Sequence, residues 1–287
     1  MSVNPARALS HLVATGGSAL LRAGVPLFNR TVPRSGYSVK ADLAYGADPR
    51  QKLDLYIPDG LTRPAPVLLF FYGGSWQSGA KSIYRAFGQA FAAHGIVTAI
   101  ADYRLYPQVK YPAFIEDGAR ALRFLHAHAG EAGGDIARIF VSGHSAGAYI
   151  AMMLAVNDKY LTDIHAEPSW IRGVIGIAGP YDFLPLHDPA LIDMFGGDRI
   201  MSTQPIKYAS RKTVPMLLAH GTADTTVGAG NSRRMAQRLR EQGNQIELIQ
   251  YDGVSHLGII ISLAHGFRGR TTLHADMLRF IAQGSRP

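Results

Sequence analysis

Residues 139–150 read Ile139-Phe140-Val141-Ser142-Gly143-His144-Ser145-Ala146-Gly147-Ala148-Tyr149-Ile150. The stretch opens as an apolar β run, passes through Gly-x-Ser-x-Gly and continues as a helix. A serine on so sharp a strand-to-helix turn is held in strained backbone geometry with its hydroxyl exposed, and glycines flank it because neighbouring backbone crowds the turn. The helix start behind it favours negative charge at that spot. Five residues of this pattern also arise by chance, where the serine merely caps a helix. The strand before it and the helix after it favour the nucleophile.

Around this turn the chain alternates. Four apolar runs, Val67–Phe71, Ile96–Ala101, Ile139–Val141 and Gly173–Ala178, predict central strands buried on both faces. In Lys52–Ile57, Leu53, Leu55 and Ile57 alternate with Lys52, Asp54 and Tyr56, which predicts a half-buried antiparallel strand beside another over Ala41–Tyr45. Pro215–Ala219 and Ile246–Tyr251 bring the set to about eight. Helical patterns fall between them, over Ser82–Ala93, Pro112–His128, Ala146–Val156, Asn231–Gln242 and Thr271–Ala282. This order predicts an α/β fold: a mostly parallel sheet with right-handed crossovers and helices on both faces. No Pro/Gly/Ser linker divides the chain, so residues 41–287 read as one catalytic domain. Asp158–Trp170 and Tyr181–Ser210 break the alternation and read as excursions above the sheet. Residues 1–40 read as a helical segment from the spacing of Leu9, Leu12, Val13, Leu20, Leu21, Val25 and Phe28. Together with 181–210 it is expected to form a small cap.

Composition narrows the function classes. With 287 residues, 47% of them hydrophobic and 17% charged, the chain can bury one large core and is not disordered. It has no cysteine, which excludes thiol nucleophiles, thiolate metal sites and disulfides. The net charge of +8 is scattered. Its densest groups, Arg233, Arg234, Arg238 and Arg240, then Arg268 and Arg270, lack interleaved aromatics, so no nucleic-acid partner is expected. The longest apolar runs, Ala65–Tyr72 and Ala148–Val156, fall short of the roughly 20 residues that span a bilayer. Arg7 precedes a partly apolar stretch, but Gly16, Gly17, Ser18 and Arg22 interrupt it. A signal peptide is therefore not expected and a cytoplasmic location is.

A serine is a weak nucleophile until a base takes its proton, normally an imidazole oriented by a carboxylate. Among eleven histidines, only His256 lies in a loop after the last predicted strand. Asp224 sits just past the preceding strand, in His220-Gly221-Thr222-Ala223-Asp224. The order Ser145, Asp224, His256 puts each group at the carboxyl end of its own strand, where open α/β sheets place their sites. Asp252 is the alternative acid. His220 and His144 read as structural histidines, although His144 flanks the nucleophile. The backbone N–H of Ala146 is one expected donor to the oxygen that becomes negative during acyl transfer.

On these residues the chain resembles the α/β-hydrolases, whose triad runs Ser, acid, His. It resembles in particular the esterase branch with a His-Gly-Gly-type loop, which includes hormone-sensitive-lipase-like carboxylesterases and arylformamidase-like enzymes. The likeness covers about residue 41 to the end. It implies Ser145 as nucleophile, His256 as general base and acid, and Asp224 as the group that orients the imidazole. It also implies that the loop Tyr72-Gly73-Gly74-Ser75-Trp76 supplies the N–H groups of Gly74 and Ser75 to the oxyanion hole, with Gly73 allowing the tight turn. Two positions depart from the pattern: Tyr72 stands where histidine is usual, and Ser75 where a third glycine is. Gly-Gly-x-Trp is closer to arylformamidase-like and feruloyl-esterase-like members. Trp76, His144, Phe183 and Leu184 are the candidates for the substrate pocket, with Trp76 either lining it or packing below it. Asp102-Tyr103-Arg104 and Asp117 also resemble the family, and an Arg104–Asp117 ion pair would fix the crossover helix.

The expected function is hydrolysis of small uncharged acyl esters by a serine carboxylesterase, with an arylformamidase-like amide hydrolase as the alternative and a non-catalytic binding member of the fold as a third. Neither metal nor organic cofactor is expected. The partner is a small-molecule ester, and the oligomeric state is left open, a homodimer among the options. Because the imidazole must be neutral to accept a proton, activity is expected to fall below roughly pH 6 to 7.

Overall fold

The four apolar runs do lie at the centre of one sheet. A computed structural model describes residue 29 and residues 31–284. Its strands are β1 (Tyr37–Ala44), β2 (Lys52–Pro58), β3 (Ala65–Phe71), β4 (Val97–Ala101), β5 (Gly134–His144), β6 (Ile171–Ile177), β7 (Met216–Gly221) and β8 (Ile246–Tyr251), ordered β1-β2-β4-β3-β5-β6-β7-β8. β1, β2 and β4 pair antiparallel, and all other neighbours pair parallel. The helices are α1 (Arg85–Ala92), α2 (Ala113–His128), α3 (Ala146–Val156), α4 (Lys159–Thr162), α5 (Pro189–Phe195), α6 (Pro205–Tyr208), α7 (Gly230–Glu241), α8 (His256–Ile261) and α9 (Leu273–Gly284).

The chain steps from β3 to β4 in one direction and from β4 to β5 in the other. Right-handed crossovers therefore place α1 and α2 on opposite faces. The reversal opens a crevice at the carboxyl ends of β3 and β5, which is where α/β sheets bind ligands. α3 is apolar all round and almost wholly buried, as expected of a helix enclosed by sheet and neighbours. Gly118 lets α2 approach it: a Cβ there would lie 2.6 Å from Ile150.

Two expectations need correction. β1 begins at Tyr37, so residues 37–40 belong to the sheet and not to the N-terminal segment; Tyr37 pairs with Pro58 and Lys40 with Leu55. Its sequence signal is weak because it is an edge strand, with Val39 39% exposed. β2 is not half-buried, since Asp54 and Tyr56 are buried along with Leu53 and Leu55. Tyr56 packs beneath Gly88 of α1, and Asp54 accepts a 2.6 Å hydrogen bond from Lys81, so polar side chains there mark a covered face. The helices expected between Leu9 and Phe28, with Leu21 and Phe28 as cap residues, lie outside the described residues.

The excursion 181–210 carries α5 and α6 and is tied down at both ends. Tyr181 and Asp182 N–H groups donate to Asn231 Oδ1, and Tyr149 OH of α3 donates to the Thr203 carbonyl at 2.6 Å. Among the described residues no helix is long and apolar enough to cross a membrane.

Candidate active site

Ser145 sits between β5 and α3 at φ 54°, ψ −121°, a conformation that L residues adopt only where surrounding structure enforces it. Both flanking glycines are required. A Cβ on Gly143 would lie 2.2 Å from the Gly147 backbone, and one on Gly147 would lie 2.0 Å from the Phe71 carbonyl oxygen. The Ser145 N–H donates to the Ile177 carbonyl of β6 at 2.9 Å, which fixes the turn against the next strand. Ser145 is 8% exposed. Nucleophile–base hydrogen bonds are often long before substrate binds and tighten in the Michaelis complex.

The loops after β7 and β8 dock on each other. A Cβ on Gly221 would meet the Val254 carbonyl oxygen at 2.0 Å, and Ala223 N–H donates to the same carbonyl. This docking brings Asp224 to His256, whose Nδ1–H donates to Asp224 Oδ2 at 2.7 Å. The proton of a neutral imidazole is then on Nδ1, leaving the Nε2 lone pair as acceptor. Asp224 Oδ1 accepts from Thr226 and Val227 N–H groups, both at 2.9 Å. His220, fully buried, donates through Nε2 to the Val227 carbonyl at 2.8 Å and lies 3.2 Å from Asp224 Oδ2. Burial acts to raise the Asp224 carboxyl, but the contacts with His220 and His256 outweigh it and hold the group well below the usual carboxylate range. The alternative acid, Asp252, is exposed and accepts from Thr222 Oγ at 3.0 Å, with no bond to His256.

The loop after β3 presses on the serine: a Cβ on Gly73 would lie 2.9 Å from Ser145 Cβ. Gly74, Ser75 and Trp76 follow at φ 134°, 52° and 58°, and the Gly74 carbonyl accepts from Gln77 and Ser78 N–H groups. Among the described residues the N–H groups of Gly74 and Ser75 donate to no acceptor. Ala146, first in its helix, has no intrahelical acceptor for its own.

Tyr72 anchors this loop in place of the usual histidine. Its phenol donates to Asp102 Oδ1 and accepts from Arg50 Nη2, both at 2.6 Å, while Arg50 also donates to the Gly79 carbonyl at the far end of the loop. Arg50 is missed by sequence reasoning because it precedes the loop by more than twenty residues in a turn with no motif. The expected Arg104–Asp117 pair is present, with Nη2 2.7 Å from Oδ1 and the Arg104 backbone N–H on Oδ2 at 2.9 Å.

Of the pocket candidates, Trp76 is 3% exposed and packs among Phe114, Tyr149, Phe183 and Phe195, at ring distances of 5.0–6.1 Å. Phe183 and Leu184 are half-buried. His144 is 2% exposed, and its ring lies 4.7 Å from that of His256. A cavity of about 420 Å³ lies beside Tyr111, Asp193 and Phe195, and one of about 790 Å³ lies at the amino end of the parallel strands beside Arg63 and Ile96. Neither is lined by Ser145, Asp224 or His256.

The BD-FAE family model matches residues 53–239, more than half of the chain and most of the sheet just described. The chain belongs to the BD-FAE family of α/β-hydrolases. A model of the prolyl oligopeptidase family also matches residues 196–286 of this BD-FAE member, a span that contains Asp224 and His256. Esterase LipC of Mycobacterium tuberculosis is 30% identical over 88% of this chain and 69% of its own length. A probable isoprenylcysteine alpha-carbonyl methylesterase of Arabidopsis thaliana is 29% identical over 78% of this chain. The chain spans 52–60% of the lengths of that protein and two rice relatives of the same kind. Esterase 2 of Thermogutta terrifontis superposes with a TM-score of 0.72 at 26% identity, over 89% of this chain and 98% of its own. A carbohydrate esterase from gut microbiota shares the fold, with a TM-score of 0.75 at 20% identity.

Proposed function

We propose that this chain is a serine carboxylesterase acting on small uncharged acyl esters. The observation that carries the reading is Ser145 held at positive φ in front of a helix, beside a loop pair in which a buried carboxylate has already set the tautomer of an imidazole. In the proposed reaction Ser145 Oγ attacks the acyl carbon as its proton passes to His256 Nε2. The carbonyl electron pair moves to the oxygen, which the N–H groups of Gly74, Ser75 and Ala146 receive. Collapse of this intermediate breaks the bond to the alcohol, whose oxygen takes the proton from His256 and leaves Ser145 acylated. Water then repeats the sequence, giving its proton to His256 and releasing the acid. Asp224 keeps Nδ1–H directed at itself and stabilises the imidazolium formed at each attack.

The Thermogutta relative has been described phosphoramylated by tabun and with butyrate bound, which supports a reactive nucleophile and a short acyl group for this site. The aromatic packing of Trp76, Phe183 and Phe195 agrees with a short acyl pocket. We assign the segment 181–210 the role of cap over it.

Replacing Ser145 with alanine tests the reading. Hydrolysis of p-nitrophenyl butyrate should fall by roughly 10⁶-fold in kcat, as when a triad serine is lost. Retention of a tenth of the wild-type rate in a folded Ser145→Ala protein would refute it.

A further inference from the structure

His144, next to the nucleophile in sequence, is spent on none of the steps above. Its Nε2–H donates to the backbone carbonyl of His256 at 3.0 Å, and the two imidazole rings lie 4.7 Å apart. Its other nitrogen, Nδ1, is buried and without a hydrogen-bond partner, and it faces Gly73, where a Cβ would come within 3.0 Å. One proton position is therefore open to this ring. A proton on Nε2 reaches an acceptor, whereas a proton on Nδ1 would meet dry backbone. Burial, and then the neighbouring His256, push the imidazole down to about 3, so the ring stays neutral wherever an esterase with a histidine base works.

The contact is more than fold maintenance, because of which atoms it joins. α8 begins at His256, and the turn into it is held by Ser255, whose hydroxyl accepts from Gly258 N–H at 3.2 Å and whose carbonyl accepts from Ile259 N–H at 3.1 Å. Asp224 restrains the ring through Nδ1 but leaves rotation about that hydrogen bond open. A second tether to the same residue's main chain, from the residue adjoining Ser145, sets how far the base can drift from the serine. We infer that His144 is a positioning residue: it ties the backbone of the base to the nucleophile turn and so sets the Ser145–His256 approach. This rests on the esterase reading above.

Glutamine carries its amide nitrogen as many bonds from Cα as Nε2, so His144→Gln keeps a donor aimed at the His256 carbonyl. His144→Asn carries a donor only at the level of Nδ1, and His144→Leu carries none. The test measures kcat per active site, titrated with paraoxon, and KM for p-nitrophenyl butyrate in these three proteins, beside Ser145→Ala. Loss of the tether should lower kcat per titrated site by about tenfold or more in Leu and Asn, with KM changed by less than about twofold and Gln within about threefold of wild type. Equal kcat per titrated site in wild type, Gln and Asn would overturn the inference, as would a Gln protein as slow as Asn. A purely structural role would reduce the number of titratable sites and leave the turnover of each unchanged. If His144→Leu does not fold, the Gln–Asn pair decides alone. Activity surviving in Ser145→Ala would instead count against the esterase reading, so the two failures are distinct.

Discussion

Asp224 shows how much local structure one side chain of the site needs. Two backbone N–H groups, the His256 ring and the nearby His220 converge on its two oxygens, which keeps a buried carboxylate ionised where burial alone would protonate it. Asp224→Asn keeps the shape but turns a donor toward Nδ1, favouring the wrong tautomer. kcat should fall by roughly 10⁴-fold with the fold intact, and a loss under tenfold would contradict the role. The same substitution predicts a pH effect on stability. A carboxyl held low in the folded state contributes stability that is present above its unfolded value near pH 4 and is lost as pH falls below it. The Tm advantage of wild type over Asp224→Asn should therefore shrink on acidification below about pH 4, as read by thermal melts; a constant gap would contradict this. The Asp224–His256 pair was legible in the sequence because each residue follows a recognisable strand. His220 and Arg50 were not legible as partners, since their contacts depend on loops and turns that meet only in three dimensions.

At the level of elements, most strands were legible from apolar runs, because a strand covered on both faces leaves little room for polar residues. The exceptions were the edge strand β1, whose start at Tyr37 has only a faint alternation, and β2, whose Asp54 and Tyr56 are polar yet covered. The short helices α5 and α6 were legible only as a break in the pattern, since seven and four residues carry too little periodicity. They matter because Phe195 of α5 and the preceding Phe183 complete the aromatic layer on Trp76 and Tyr149. If this layer limits the acyl chain, Phe183→Ala should raise the kcat/KM ratio for octanoate over butyrate p-nitrophenyl esters by about tenfold. An unchanged ratio in a folded protein would remove Phe183 from the pocket wall.

For the molecule as a whole, strand order explains why three distant stretches can cooperate. The reversal between β3 and β5 sets the Gly73 loop against Ser145, and the parallel run through β6, β7 and β8 brings the acid and the histidine to the same carboxyl edge. Rigid strands supply the precision and loops supply the chemistry. The measurement that bears most directly on this account is the site of covalent modification after stoichiometric paraoxon treatment, read by peptide mass spectrometry. A single diethylphosphoryl adduct on Ser145, formed as esterase activity disappears, is the expected result. Complete inactivation with Ser145 unmodified, or an adduct on another residue alone, would contradict it.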